Sequence, residues 1–314
     1  MRIFLAPMEG VIDYEMRNLF TQLGGFDRCV TEFIRVNDQL LPERVFLRYS
    51  PELERGGVTD SGVPVYLQLL GGSPKFMGLN AARVQVLEPP GIDINFGCPS
   101  NTVTRNNGGS RLLLDPQLVG DIVASVRESV DPSIPVTAKI RLGFSNADSL
   151  ECIVDKIVEA GVSELSIHAR TREDRYKPPA YWATVKAITE KFSIPIIING
   201  EIWSIDNAYS ALEQSGCRDI MLGRSALTTP QLAACIKARH SGSEFQEMDW
   251  PELLDVIVCY LYDAEKKHPD FVCNRSKQWL AFLLNAYPPA LTLFHKVKRI
   301  KNTKEMFNAL RSGI

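Results

Sequence analysis

Reactive and polar side chains recur in this chain at the ends of short apolar runs. Cys98 stands between Gly97 and Pro99, directly after Ile92–Phe96, and a glycine-bearing loop, Asn106-Asn107-Gly108-Gly109, follows it. A lone cysteine is most often a small buried hydrophobe. One placed at a strand end ahead of a glycine loop suits proton donation or nucleophilic attack. Lys139 and Arg141 lie two residues apart in one run, as do Tyr66 and Gln68 in another, so each pair projects from one strand face. Asn95, His168, Asn199 and Glu201 end or follow further runs, Pro7 and Met8 end the first, and Glu9 follows it. The turns Asn199-Gly200 and Gly223-Arg224 put glycine where backbone N–H groups can approach an anion closely. A phosphate-bearing ligand is expected there, the alternative being tight turns alone.

The elements that must position these residues alternate. Apolar runs at Ile3–Met8, Cys29–Phe33, Val63–Leu70, Ile92–Phe96, Val136–Leu142, Glu164–His168, Ile194–Asn199 and Asp219–Leu222 read as buried strands. Helical periodicity follows most of them, and Arg35–Glu54 reads as irregular. Eight strand–helix units without a GxGxxG turn predict an α/β fold, a (β/α)8 TIM barrel, rather than an open doubly wound sheet. Its C-terminal strand ends would carry the chemistry. Beyond Gly242 only helical patterns remain, so a barrel domain of 1–242 is expected ahead of a small all-α bundle of 243–314.

Charge separates along the same line. Residues 266–314 hold ten Lys and Arg against two acids, a net +8, while 1–265 carry −10. That asymmetry points to a polyanionic partner such as nucleic acid. No run is long enough to span a bilayer. Seven scattered cysteines without a CxxC pair suggest neither a disulfide frame nor a zinc site. A cytoplasmic monomer with no metal and no membrane partner is the expectation.

Seven blocks, in order, carry a resemblance: Ala6-Pro7-Met8-Glu9-Gly10, Gln68-Leu69-Leu70-Gly71, Asp93-Ile94-Asn95-Phe96-Gly97-Cys98-Pro99, Lys139-Ile140-Arg141-Leu142-Gly143, His168-Ala169-Arg170-Thr171, Asn199-Gly200-Glu201-Ile202 and Gly223-Arg224. Together they resemble the flavin-dependent tRNA-dihydrouridine synthases over nearly the whole chain. Thr31–Val36 and Lys277–Leu280 are similar to the bacterial subfamily that modifies position 16 in the tRNA D-loop. One departure is Gly108-Gly109-Ser110, where relatives tend to carry Gly-x-Gly or a glycine triplet.

The resemblance implies FMN as a tightly bound cofactor, reduced by NADPH. It implies flavin contacts from Pro7, Met8, Glu9, Gln68, Lys139 and His168, and phosphate contacts from Asn199, Gly200, Glu201, Gly223 and Arg224. It implies Cys98 as the acid that protonates C5 of uridine. Asn95, Arg141 and Tyr176 would hold the flipped base. Arg35, Arg275, Lys277, Trp279, His295, Lys296 and Arg299 would meet the tRNA. Two other readings stay open: another FMN barrel acting on pyrimidines, of the dihydroorotate dehydrogenase type, and a non-catalytic RNA-binding barrel. The first has no use for a +8 tail, and the second leaves the strand-end residues without a task.

Overall fold

A computed structural model describes residues 1–105, 108–267 and 271–313 of the chain. In order, the elements are β1 (Ile3–Leu5), α1 (Tyr14–Leu23), β2 (Arg28–Val30), β3 (Ile34–Arg35), α2 (Glu43–Tyr49), β4 (Val65–Leu70), α3 (Pro74–Gln85), β5 (Ile92–Asn95), α4 (Asn101–Arg105), α5 (Pro116–Glu128), β6 (Val136–Arg141), α6 (Leu150–Glu159), β7 (Glu164–His168), α7 (Lys186–Lys191), β8 (Ile196–Asn199), α8 (Ile205–Ser215) and β9 (Asp219–Leu222). The strands pair in parallel in the order β2-β1-β9-β8-β7-β6-β5-β4, and β2 pairs with β4, which closes the barrel. β3 continues the line of β2 and pairs with β4 through Ile34 and Leu69. Eight staves therefore form the expected (β/α)8 barrel.

The strands are buried on both faces, which explains their near-continuous apolar runs. The helices bury one stripe each: Leu150, Ile153, Val154 and Ile157 of α6 follow the helical period. Caps set their starts. Asp115 accepts from Leu118 N–H ahead of α5, with Pro116 in the first turn, and Ser204 accepts from Asn207 N–H ahead of α8. The stretch expected to be irregular holds α2 and a 3-10 turn, Pro51–Arg55. A wholly buried pair, Arg17 of α1 with Glu52 (2.8 Å), ties that excursion down.

Inside the barrel, Phe4, Ala6, Val30, Tyr66, Ile197 and Met221 form an apolar cluster. Arg28 lies between the rings of Phe4 and Tyr66, at 4.2 and 4.3 Å, and pairs with Glu164 at the strands' N-terminal side. Polar side chains follow on several of these strands, Thr31 after Val30, Gln68 after Tyr66 and Asn199 after Ile197, so this layer is the floor of the site.

The chain forms two compact units, Met1–Gln22 with Phe26–Gly223 and Leu23–Gly25 with Arg224–Ile314, so the main division falls after Gly223, ahead of the one expected at 242. The second unit takes in α9 (Arg224–Thr228), α10 (Leu232–Ser241), α11 (Trp250–Lys267), α12 (Val272–Leu283), α13 (Pro288–Val297) and α14 (Thr303–Arg311). Trp279 of α12 donates to Leu227 O of α9 (3.1 Å), and Gln231 accepts from Met248 N–H (2.7 Å), so the early helices join the later ones. The stacked rings of Tyr262 and Phe307, with centroids 4.0 Å apart, join α11 to α14. None of the described helices is long and apolar enough to cross a membrane.

Candidate active site

Register brings the strand-end residues level. Asn95 is opposite Lys139, Arg141 opposite His168, His168 opposite Asn199, and Gln68 opposite Asp93. Residues two apart then project to the same side, and a connected polar network results. Thr137 donates to Asp93, and Gln68 Nε2 donates to Asp93 Oδ2 (2.6 Å). Asn95 Nδ2 donates to Gln68 Oε1 (2.8 Å). Asn95 Oδ1 accepts from the backbone N–H groups of Gly97 (3.0 Å) and Cys98 (2.8 Å). An unbroken chain of hydrogen bonds thus runs from a buried carboxylate to the backbone of the cysteine.

The loop after Cys98 closes over it. Ser110 donates to Cys98 O from both its backbone N–H (3.0 Å) and its hydroxyl (2.9 Å). Gly109 has φ +58°, and a Cβ there would stand 2.7 Å from Cys98 O. The Gly108-Gly109-Ser110 departure therefore keeps the one glycine that the close approach demands and adds a hydroxyl anchor. Asn106 and Asn107 of the same loop lie outside the described residues. The Cys98 side chain is half-buried against Phe33, Leu70 and Val103. Burial pushes its thiol above the ordinary range, and nearby Glu9 adds to that, against the pull of Ser100 N–H, Arg35 and Arg141. A thiol held protonated is a proton donor rather than a ready nucleophile.

Lys139 faces the opposite electrostatic problem. Its ammonium is buried and donates to Asn199 Oδ1 (3.0 Å), and Asn199 Nδ2 in turn donates to Met221 O (2.8 Å). Burial first and Arg141 second bring its pKa down to about 8, with Asp93 opposing them. Burial pushes the Asp93 carboxyl up. Arg141, 1% exposed, donates through Nε to Gly97 O (2.8 Å) and through Nη1 to Thr171 O and Arg175 O (2.9 Å each). It braces the loops after β5 and β7, and its guanidinium lies 5.3 Å from the Tyr176 ring, which is half exposed.

On the other side, Arg170 pairs with Glu201 (2.6 Å) and contacts His168 Nε2 (3.3 Å). Gly200 has φ +111°, and a Cβ there would stand 2.8 Å from the His168 ring. Only glycine fits this turn. Met8 O accepts from Val11 and Ile12 N–H (3.1 and 3.0 Å), and a Cβ on Gly223 would lie 3.9 Å from Met8 Sδ, so the ends of β1 and β9 adjoin. Pro7 lies between β1 and Met8. Glu9 is exposed and pairs with half-buried Arg35 at 3.8 Å.

The strand-end residues expected from the sequence thus come together within the first unit: Gln68, Asn95, Cys98, Lys139, Arg141, His168, Tyr176, Asn199, Gly200 and Glu201. Arg224 belongs to the second unit. Two expected tRNA contacts are corrected. Trp279 is 2% exposed and packs edge-on against Tyr260, and Arg275 is 3% exposed, donates to Gln278 and covers the Phe271 ring. Both stabilise the helical unit from within, because their helix turns these side chains to its core. Half-buried Lys277 donates to Ile300 O. His295, Lys296 and Arg299 are exposed. Asp93, Thr137 and Arg170 were not singled out. The parity of Asp93 with Asn95, and of Thr137 with Lys139, was the available signal.

The family model described as dihydrouridine synthase (Dus) matches residues 4–305. The tRNA-dihydrouridine(16) synthase of Shewanella oneidensis is 44% identical over the whole of this chain and 98% of its own length. That of Pseudomonas putida is 44% identical over 95% of this chain and 93% of its own. Among solved structures, a 2-naphthoyl-CoA reductase aligns with a TM-score of 0.59 at 11% identity, over 77% of this chain and 50% of its own. An old yellow enzyme homologue from Zymomonas mobilis aligns with a TM-score of 0.50 at 11% identity, over 80% of this chain and 91% of its own. These two likenesses concern the fold.

Proposed function

The chain belongs to the dihydrouridine synthase family, and from that premise we propose that it reduces one uridine of tRNA, at position 16, to 5,6-dihydrouridine. The observation that carries the reading is the buried chain Asp93–Gln68–Asn95–Cys98, set beside the ammonium of Lys139. It holds a protonated thiol and a desolvated cation on neighbouring strands, as the addition of two hydrogens across a double bond requires.

The residues fit a flavin such as FMN. Lys139 is a buried cation with donor capacity beyond its bond to Asn199, and its lowered pKa marks a site that favours a partner carrying negative charge. The Gly200 turn, closed to any Cβ, suits close backbone approach to a phosphate. The backbone of Pro7–Glu9, with Gln68, Lys139 and His168, would hold the ring system, and the 199–201 turn with Gly223 the phosphate. When bound, FMN reduced by NADPH supplies the hydride for C6 of the uracil ring.

The chain's own residues do the rest. Lys139 offsets the negative charge that reduction places on the cofactor. Cys98 gives its proton to C5 of the uracil enolate, and Asn95 fixes the backbone from which that thiol projects. Arg141 and Tyr176 form the rim that a base turned out of its stack must pass. The exposed cations His295, Lys296 and Arg299, with half-buried Lys277, serve the tRNA backbone. This activity belongs in the cytoplasm, where tRNA and NADPH meet, and needs one copy of the chain.

The test is direct. The purified protein should be yellow with bound FMN, and deleting its gene should abolish dihydrouridine at position 16 while sparing other sites. A colourless protein, or an unchanged position 16, would overturn the reading. A yellow protein with unchanged tRNA would favour an FMN barrel acting on free pyrimidines.

A further inference from the structure

Three loops at the C-terminal rim of the barrel meet at one phenylalanine. Phe144 follows β6, Arg111 lies in the 3-10 turn Gly109–Leu114 beyond Cys98, and Arg172 lies in the loop after β7. Both guanidinium groups rest against the Phe144 ring, at 5.9 and 5.1 Å from its centroid. Arg172 is fixed further. Its backbone N–H donates to Gly143 O (3.0 Å), the next N–H donates to Phe144 O (3.1 Å), and its Nη2 donates to Asn101 (2.7 Å). Asn101 opens α4, three residues past Cys98.

These arginines take no part in the buried network, yet they are held as if for use. The Nε of Arg172 is out of contact with water and has no acceptor among the described residues. A buried donor left unmatched is costly, so holding this guanidinium in place at the rim carries a cost the fold accepts. Arg111 is exposed, with its ring contact holding a charged fork toward solvent. The loop 169–181 carries four basic residues against two acidic, within a body of net −10. Of those two acids, Asp174 is engaged by Thr171, and Glu173 is exposed beside Arg172. A planar guanidinium matches a phosphate in both geometry and charge.

We infer that Arg111, Phe144 and Arg172 form a clamp for the RNA backbone, gripping phosphates that flank the nucleotide entering the barrel. The inference rests on the tRNA reading above. A base turned out of its stack leaves its own phosphates at the rim, and contacts to them set register without reading sequence. The clamp shares Asn101 and the Gly109–Leu114 turn with the loop that carries Cys98. Phosphates seated there lie beside the segment that presents the acid.

Arg111→Gln, Arg172→Lys and the double variant test this in the full-length FMN-loaded protein, with unmodified tRNA as probe. Arg111→Gln removes an exposed side chain, so folding survives; Arg172→Lys keeps the charge but loses the fork. FMN content and FMN reduction by NADPH should match wild type. The Kd for tRNA should rise roughly tenfold for each residue lost, the free energy of one charge-assisted hydrogen bond. Arg111→Gln should also lower the slope of log K against log salt by about one. Wild-type affinity and slope in the double variant would overturn the clamp. If wild type binds tRNA but forms no dihydrouridine, the functional reading fails instead, and the affinities still decide for or against the clamp.

Discussion

Lys139 shows what burial does to a single group. Its pKa falls from the ordinary 10.5 to about 8 in the folded protein. Between those values the unfolded chain binds a proton that the folded one has released, so this residue makes stability rise with pH across that window. Without ligand, wild type should gain stability relative to Lys139→Met as pH rises from 8 toward 10.5, read by denaturant midpoints. Parallel profiles would contradict the assignment. Lys139 and Cys98 were legible in the sequence because each stands out against an apolar strand, and strand parity said which neighbours share their face. Asp93 shared that parity with Asn95, but only coordinates show it hydrogen-bonded to Gln68 and Thr137. Trp279 and Arg275 were misread for a related reason. A cluster of basic and aromatic residues on a helix has one composition whether it faces solvent or core, and here the Trp279 indole reaches Leu227 O inside the bundle.

Among the elements, the strands were legible nearly to their ends; Glu164–His168 and Asp219–Leu222 coincide with β7 and β9. Burial on both faces leaves a strand little freedom of composition. The second stave was harder, because it breaks between Val30 and Ile34 into two short strands. α2 was not legible at all: seven residues between Pro42 and Pro51 are too short to show a period. Tertiary contact makes that excursion, above all the Arg17–Glu52 pair, whose guanidinium also donates to Ile12 O and Tyr49 O. Removing one partner strands a buried charge, so Glu52→Gln should cost about 3–5 kcal/mol in chemical denaturation. Arg17→Met with Glu52→Leu should recover much of it. A single variant within 1 kcal/mol of wild type, roughly the size of an exposed pair, would contradict this account.

For the whole molecule, charge counting located the basic tail, but the division of the chain does not follow composition. The polar stretch after Gly242 looks like a linker, yet α9 and α10 pack with the helices beyond it. Cutting before Trp250 would strip these helices of their partners, so charge reversal is the sounder probe of the tail. Lys296→Glu with Arg299→Glu, both exposed, should weaken tRNA binding more than tenfold at low salt, with the difference shrinking as salt rises. Filter binding at two salt concentrations checks this, and equal affinities would remove the tail from the tRNA site. The central claim, that the barrel presents a tRNA uridine to Cys98, is tested by single-turnover oxidation of the pre-reduced FMN-loaded protein with unmodified tRNA. Cys98→Ala should keep its FMN, its reduction by NADPH and its affinity for tRNA, since none of these uses the proton. Its oxidation by tRNA should slow by about 10²–10⁴, the range for loss of a general acid, with Cys98→Ser rescuing little. A Cys98→Ala protein that turns over tRNA at wild-type rates would contradict the account.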